Sequence, residues 1–118
     1  LNGVANTSSI YQLSTTSAYS FSQLIRGDYA FGTLLANEGI PAVPSKTDPT
    51  PNDDDYFNGG YCTLTYGSRN GGTVSAIQLE THGTDLRNNA TQRKASGIKI
   101  ADAIIKYMKN HYGLLLDK

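Results

Sequence analysis

An α/β domain is what the sequence predicts, and two observations carry that expectation. Two β-prone runs, Tyr61–Tyr66 and Val74–Leu79, flank a glycine-rich turn, Gly67-Ser68-Arg69-Asn70-Gly71-Gly72. A long helical pattern follows from about Asn89 to Tyr112, and shorter helical patterns precede the strands. Strands and helices in this order pack a sheet between helices, so the expectation is a mixed sheet covered by helices.

Each element has its local reason. Residues 1–19 are rich in Ser, Thr and Asn and predict an irregular start with one short helix around 7–14. Phe21, Leu24 and Ile25 stand at helical spacing, and Gly27 stops that turn. Tyr29, Phe31, Leu34 and Leu35 predict a second short helix ending at Gly39. Ile40–Val43 reads as extended, and Pro44, Pro49 and Pro51 among Ser, Thr, Asn and Asp make a loop. In the run Val74, Ala76, Ile77, Leu79 the apolar residues are nearly continuous, as in a strand covered on both faces. In the last helix Ile98, Ala101, Ile105, Met108 and Tyr112 predict the buried stripe, with Lys94, Lys99, Lys106 and Lys109 toward solvent. Gly113 follows as the natural stop, and Lys109 and His111 suit the carbonyl end of the helix.

The bulk properties narrow the functions. At 118 residues the chain is one domain, or the C-terminal portion of a larger one. Ten basic and ten acidic side chains cancel, which leaves no electrostatic footprint for nucleic acid and no cluster for an anionic membrane. The longest apolar run is Leu114-Leu115-Leu116, so no segment spans a bilayer as a helix. Cys62 is the single cysteine and reads as a small buried thiol or as a bridge to another chain. Two Asn-x-Ser/Thr triplets, at Asn6 and Asn89, lean toward a secreted glycoprotein. The chain begins at Leu1 with no signal-peptide pattern, so a processed or excised chain is expected.

Glu80 is the first polar residue after the apolar run, and two readings stand. A carboxylate at a strand end can cap a helix or pair with Arg87. It can also sit at the lip of a crevice, where low-dielectric walls tune it for proton transfer. Asp53-Asp54-Asp55 lacks the later ligands of a calcium loop and reads as solvated. Residues 67–72 lack both the glycine spacing and the Lys-Ser/Thr ending of a phosphate-cradling loop.

The ordered set Gly59-Gly60-Tyr61, Gly67 and Ala76-Ile77-Gln78-Leu79-Glu80 resembles the C-terminal motif of the N-formylglutamate amidohydrolase-like proteins. The flanking stretches "EGIPAVPSKTDPTP" and "DLRNNATQRKASGIKIADAI" look like the secreted or fungal-type relatives, so the resemblance covers residues 21–113. It implies a zinc-carboxypeptidase-like (phosphorylase/hydrolase-like) fold, of which this chain would be the C-terminal half. It also implies metal-assisted hydrolysis of an N-acyl-amino acid or γ-glutamyl-type amide, a small-molecule or peptide substrate. Glu80 matches the general base. Arg87 matches the arginine that follows it and would hold a substrate carboxylate or an oxyanion. Gly60 would let backbone approach a ligand, Tyr61 would stand at the cleft or pack on its strand, and Arg93 would bind substrate or lie exposed.

The chain departs from that pattern at the metal. Zinc hydrolysis needs three protein ligands and an open position, and only His82 and His111 are available as histidines. His82 reads as a loop histidine that could line the site, and His111 as a helix-end residue. The ligands are therefore expected outside this chain, in an N-terminal partner chain or segment. The competing expectation is a non-catalytic binding or structural module that keeps the scaffold without its metal.

Overall fold

The computed structural model describes residues 2–53, 55 and 59–116. Asp54, within the aspartate run, lies outside the described residues, as do Tyr56, Phe57 and Asn58 of the stretch before the double glycine. The architecture is helical. A 3-10 turn at Asn2–Thr7 precedes α1 (Tyr11–Thr16), α2 (Phe21–Arg26), α3 (Phe31–Asn37), α4 (Tyr61–Tyr66), a second 3-10 turn at Arg69–Gly71, and α5 (Ala90–Tyr112). Among the described residues there is no strand, which overturns the α/β expectation and the zinc-carboxypeptidase-like fold with it.

Both expected strands fail for the same physical reason: neither finds a ladder partner. Tyr61–Tyr66 instead coils, with Leu64 N donating to Gly60 O at 3.0 Å and Gly67 N to Thr63 O at 3.2 Å. Gly67 ends the helix where a Cβ would lie 2.3 Å from Thr63 O and 2.9 Å from Ser9 Cβ, so only glycine allows this approach. Cys62 falls on the outer side of α4 and is exposed, not the buried thiol expected. Residues 73–80 do run without helix, but the Ala76 amide bonds Ser9 O at 2.9 Å instead of a neighbouring strand. Val74, Ile77 and Leu79 are exposed, Leu79 to 40%, so this is not the doubly covered strand that the apolar run suggests.

What holds residues 67–76 is α1. Ile10, at the N-cap of α1, makes no side-chain cap, and the first amides are satisfied from afar. Gln12 N donates to Ser68 Oγ at 2.9 Å, and Leu13 N to Ser75 Oγ at 3.0 Å. Ser68 Oγ and Ser68 N in turn donate to Ser9 O, at 2.9 and 3.1 Å. Ser68 is fully buried at this crossing.

The core lies between α1, α2, α3 and the second half of α5, built on Leu13, Phe21, Leu24, Leu34, Leu35, Ala103 and Tyr107. α2 starts in a reciprocal Ser20–Gln23 capping box and stops at Gly27, as its spacing predicts. α3 gives way after Asn37 to Gly39 at φ +79°, a left-handed position that suits glycine. The loop after it comes so close that a Cβ on Gly32 would lie 2.0 Å from Pro44 O.

α5 runs over the expected span, with Asn89 accepting from Gln92 N at its start and Gly113 left-handed at its end. Its buried face is rotated from the expected one. Ser96, Ala103 and Tyr107 are buried, Ile105 and Met108 are half-buried, and Ala101, Tyr112 and Ile98 are exposed, Ile98 to 56%. The small Ala103, with no exposed surface, lets α5 lie close to α3. Three side-chain contacts fix the antiparallel register: Glu38 with Lys106, Phe31 edge-on to Tyr107 at 5.6 Å, and Tyr29 O with His111 Nε2 at 2.8 Å. Among the described residues no helix is long and apolar enough to cross a membrane.

The rotated face makes a direct stability test. Ala103→Leu should cost about 1–3 kcal/mol, because the larger side chain has no room at this fully buried position of α5. Ile98→Ala should change stability by less than about 0.5 kcal/mol, since its side chain already meets water. Urea unfolding of the two variants distinguishes this face from the one the aliphatic spacing suggests.

Tyr107 supplies a second test. Its hydroxyl is buried without a hydrogen-bond partner among the described residues. Burial pushes its ionisation above the usual phenol range, and the neighbouring Tyr112 adds to the effect. The folded state therefore keeps a proton that the unfolded state gives up near pH 10. The associated stability is whole below that pH and falls as pH rises above it. Tyr107→Phe should remove this alkaline loss and raise stability at pH 7 by about 1 kcal/mol, read from unfolding curves between neutral and alkaline pH.

Candidate functional site

Residues 76–82, which form no helix, line one side of a cleft of about 650 Å³. Its floor is the outer side of the core, with Leu24, Phe31, Leu35 and Tyr107 among the lining residues. Its more exposed edge carries Gly59, Gln78, Glu80 and His82, Arg69 and the buried Thr63 also line it, and Asp48 and Asp55 contribute further carboxylates. An apolar floor with a few polar groups at one edge is the usual form of a small-ligand site.

At this lip the two halves of the sequence motif are joined. The Gly60 amide donates to Gln78 Oε1, and Gln78 Nε2 donates to Glu80 Oε1 at 2.7 Å. Gln78 and Glu80 reach the same side because they are two residues apart in an extended segment. Gly59 sits at φ +84°, and a Cβ there would lie 2.3 Å from Thr63 Oγ1. A Cβ on Gly60 would lie 2.7 Å from Gln78 Oε1, the end of a side chain that can shift, so the backbone constraint in the double glycine is the positive φ of Gly59. Thr63 Oγ1 donates to Gly60 O at 3.0 Å and steadies the turn from inside α4.

The remaining expected site residues disperse. Glu80 lines the cleft but is exposed on a loop-like segment, not set at the end of a buried strand. Arg87 Nε donates to Thr81 O at 3.0 Å, and Arg93 Nη1 donates to Arg87 O at 3.0 Å. Both guanidiniums thus bind the backbone of the loop after Glu80, and neither lines the cleft. Tyr61 is 73% exposed and meets Tyr66 edge-on at 6.3 Å, away from the cleft. His82 lines the cleft with Nδ1 at 3.2 Å from Thr84 O. His111 lies on the opposite end of α5, among Tyr19, Tyr29 and Tyr107.

Gln78 is the site residue to which the sequence gives no role. Its signal is the i, i+2 spacing to Glu80, which aligns the two side chains on any extended backbone. Its bond back to Gly60 spans 18 residues and has no signature in the sequence.

The donor set tests the zinc that the resemblance implies. Among the described residues, no group of three or more His, Cys, Asp or Glu could hold a metal ion. Glu80 is held by Gln78, and His82 faces a carbonyl instead of a second ligand. The described residues do not fit a catalytic zinc site.

Set against models of protein families, curated proteins and solved structures, the chain matches none of them. The resemblance to the amidohydrolase-like proteins therefore rests on the motif residues themselves.

The relay from Gly60 to Glu80 can be read directly. Gln78→Ala removes the acceptor of the Gly60 amide, whose hydrogen exchange should accelerate at least about tenfold. Unchanged exchange at Gly60 would show that the double glycine is held by something other than Gln78.

Proposed function

We propose that Glu80 serves as the proton acceptor in hydrolysis of an amide, of the N-acyl-amino acid or γ-glutamyl type. The observation that supports this reading is the hydrogen-bonded run Gly60–Gln78–Glu80 at the edge of the cleft. Gln78 fixes one carboxylate oxygen and leaves Oε2 turned to no protein partner among the described residues. A water molecule at Oε2 would attack the amide carbonyl carbon as its proton passes to Glu80. The C–N bond would then break, and Glu80 would return that proton to the leaving amine. Arg87 and Arg93 act in this scheme through the backbone they brace, as positioning residues for the loop that follows Glu80.

The zinc of the resemblance would have to be held by an N-terminal partner chain or segment, because the donors among the described residues do not fit it. The same reading puts the protein in the secreted class, where the exposed Asn6 and Asn89 would be open to glycosylation.

One observation favours a second reading. With no metal-holding group among the described residues, and with Ile77 and Leu79 exposed beside the cleft, the chain also suits a binding module without chemistry. The two readings part in one assay. Glutamate release from N-formyl-L-glutamate and from a γ-glutamyl amide is followed for the protein in the form cells produce, with its metal content recorded. Hydrolysis predicts turnover that falls about 10²–10⁴-fold in Glu80→Gln while metal content stays the same. Full activity in Glu80→Gln would remove Glu80 from the role. Saturable binding of either compound without turnover in the wild type would establish the binding module.

A further inference from the structure

α5 carries a second apolar stripe, on the side turned away from the core. Ile98, Ala101, Ile105, Met108 and Tyr112 alternate at spacings of three and four residues, so they run down one side of the helix. That side lies about half a turn from Ser96, Ala103 and Tyr107, which are buried. Ile98 is 56% and Tyr112 45% exposed, Ala101 is exposed, and Ile105 and Met108 are half-buried. Ile104 on the flank and Leu114, Leu115 and Leu116 after the helix are exposed as well. Together these side chains bare roughly 600 Å², which approaches the roughly 800 Å² that each partner buries in a standard interface. None of the stripe residues lines the cleft at Glu80.

The spacing selects the kind of partner. A strict three–four alternation makes a narrow seam that fits one other helix, whereas a lipid surface calls for a broader apolar face. Asp102 and Lys109 bound this seam along one edge. The seam is also its own complement. Two copies turned antiparallel, with the two-fold axis level with Lys106 and Tyr107, set Ala101 across from the partner's Tyr112. The same turn sets Ile105 across from the partner's Met108. The smallest side chain of the seam thus meets the largest, so the four layers fill evenly.

The charges fix the register. In the arrangement just described, Asp102 stands beside the partner's Lys109 on both sides of the axis. Sliding by one heptad in either direction sets Asp102 against Asp102, or Lys109 against Lys109. A parallel pair sets Lys109 beside Ile104 and gains no opposite charge. We propose that α5 is a dimerisation helix, which pairs antiparallel with α5 of a second copy of this chain through Ala101, Ile105, Met108 and Tyr112. Ile98 lies beyond the last layer, and the two clefts remain open. The pairing is isologous, so it closes at two copies.

The test is sedimentation velocity of the whole chain from about 1 to 200 μM, with circular dichroism to confirm that each variant folds. A monomer–dimer equilibrium with a dissociation constant on the order of 10 μM is expected. Ala101→Glu, at an exposed position, should weaken it about tenfold or more by setting a charge against the partner's Tyr112. Lys109→Glu should weaken it several-fold, and adding Asp102→Lys to that variant should restore it, because the exchanged charges meet again across the axis. A monomer throughout the range would overturn the second copy as occupant. A dimer indifferent to Ala101→Glu would overturn this face, and failure of the double exchange to restore pairing would overturn the register. Co-sedimentation of a still monomeric chain with phosphatidylcholine–phosphatidylserine vesicles would overturn the dimer in favour of a lipid surface.

Discussion

The first turn of α1 is capped from the middle of the sequence, and much of the structure follows from that. The amides of Gln12 and Leu13 would otherwise be orphans at a helix start whose own N-cap, Ile10, offers no oxygen. Ser68 and Ser75 supply those oxygens across separations of 56 and 62 residues. The Ser9 carbonyl completes the crossing by accepting from Ser68 N, Ser68 Oγ and Ala76 N. Each cap contributes about 1 kcal/mol, but together they fix both ends of the 68–76 stretch against the helical core. A segment tied by its amides to a helix end has no ladder to offer a second strand. The absence of a sheet among the described residues is thus the other face of this capping arrangement.

The cleft inherits its geometry from the same tie. Two residues beyond Ala76, Gln78 joins the double glycine to Glu80, so the lip is positioned by hydrogen bonds rather than by burial. Each of these contributes on the order of 1 kcal/mol net, less where water competes. Below the lip, the floor is firm: Leu24, Leu35 and Tyr107 belong to the α2–α3–α5 packing. The far side of the loop is anchored by Ser96 Oγ on Leu86 O at 2.7 Å and by the two arginines on their carbonyls. A rigid apolar floor and a lightly tied polar lip suit a site that completes itself around a ligand or a partner.

What the sequence revealed was local, and what it concealed was long-range. The span of α2 follows from Ser20, Gln23 and Gly27, and that of α5 from Asn89 and Gly113, because caps and stops act within a few residues. Tyr61–Tyr66 has β-prone composition, yet strand formation depends on a neighbour that no local pattern supplies. The aliphatic spacing of α5 points to a different stripe from the buried one, which is made by Ser96, Ala103 and Tyr107. A close helix crossing favours the small residue, and a tyrosine can bury its ring. That Glu80 faces a cleft is legible from the motif, whereas Gly60, expected beside a ligand, lies outside the lining and binds Gln78, a connection that depends on contact between distant segments.

The central claim is that residues 61–80 hang from α1 by serine caps and do not pair with each other as a hairpin. Through-space NMR contacts across this region, read with its backbone chemical shifts, test it most directly. The account predicts contacts from Gln12 and Leu13 to Ser68 and Ser75, together with helical shifts over Tyr61–Tyr66. A ladder of backbone contacts between 61–66 and 74–79, with strand-type shifts in both, would contradict it.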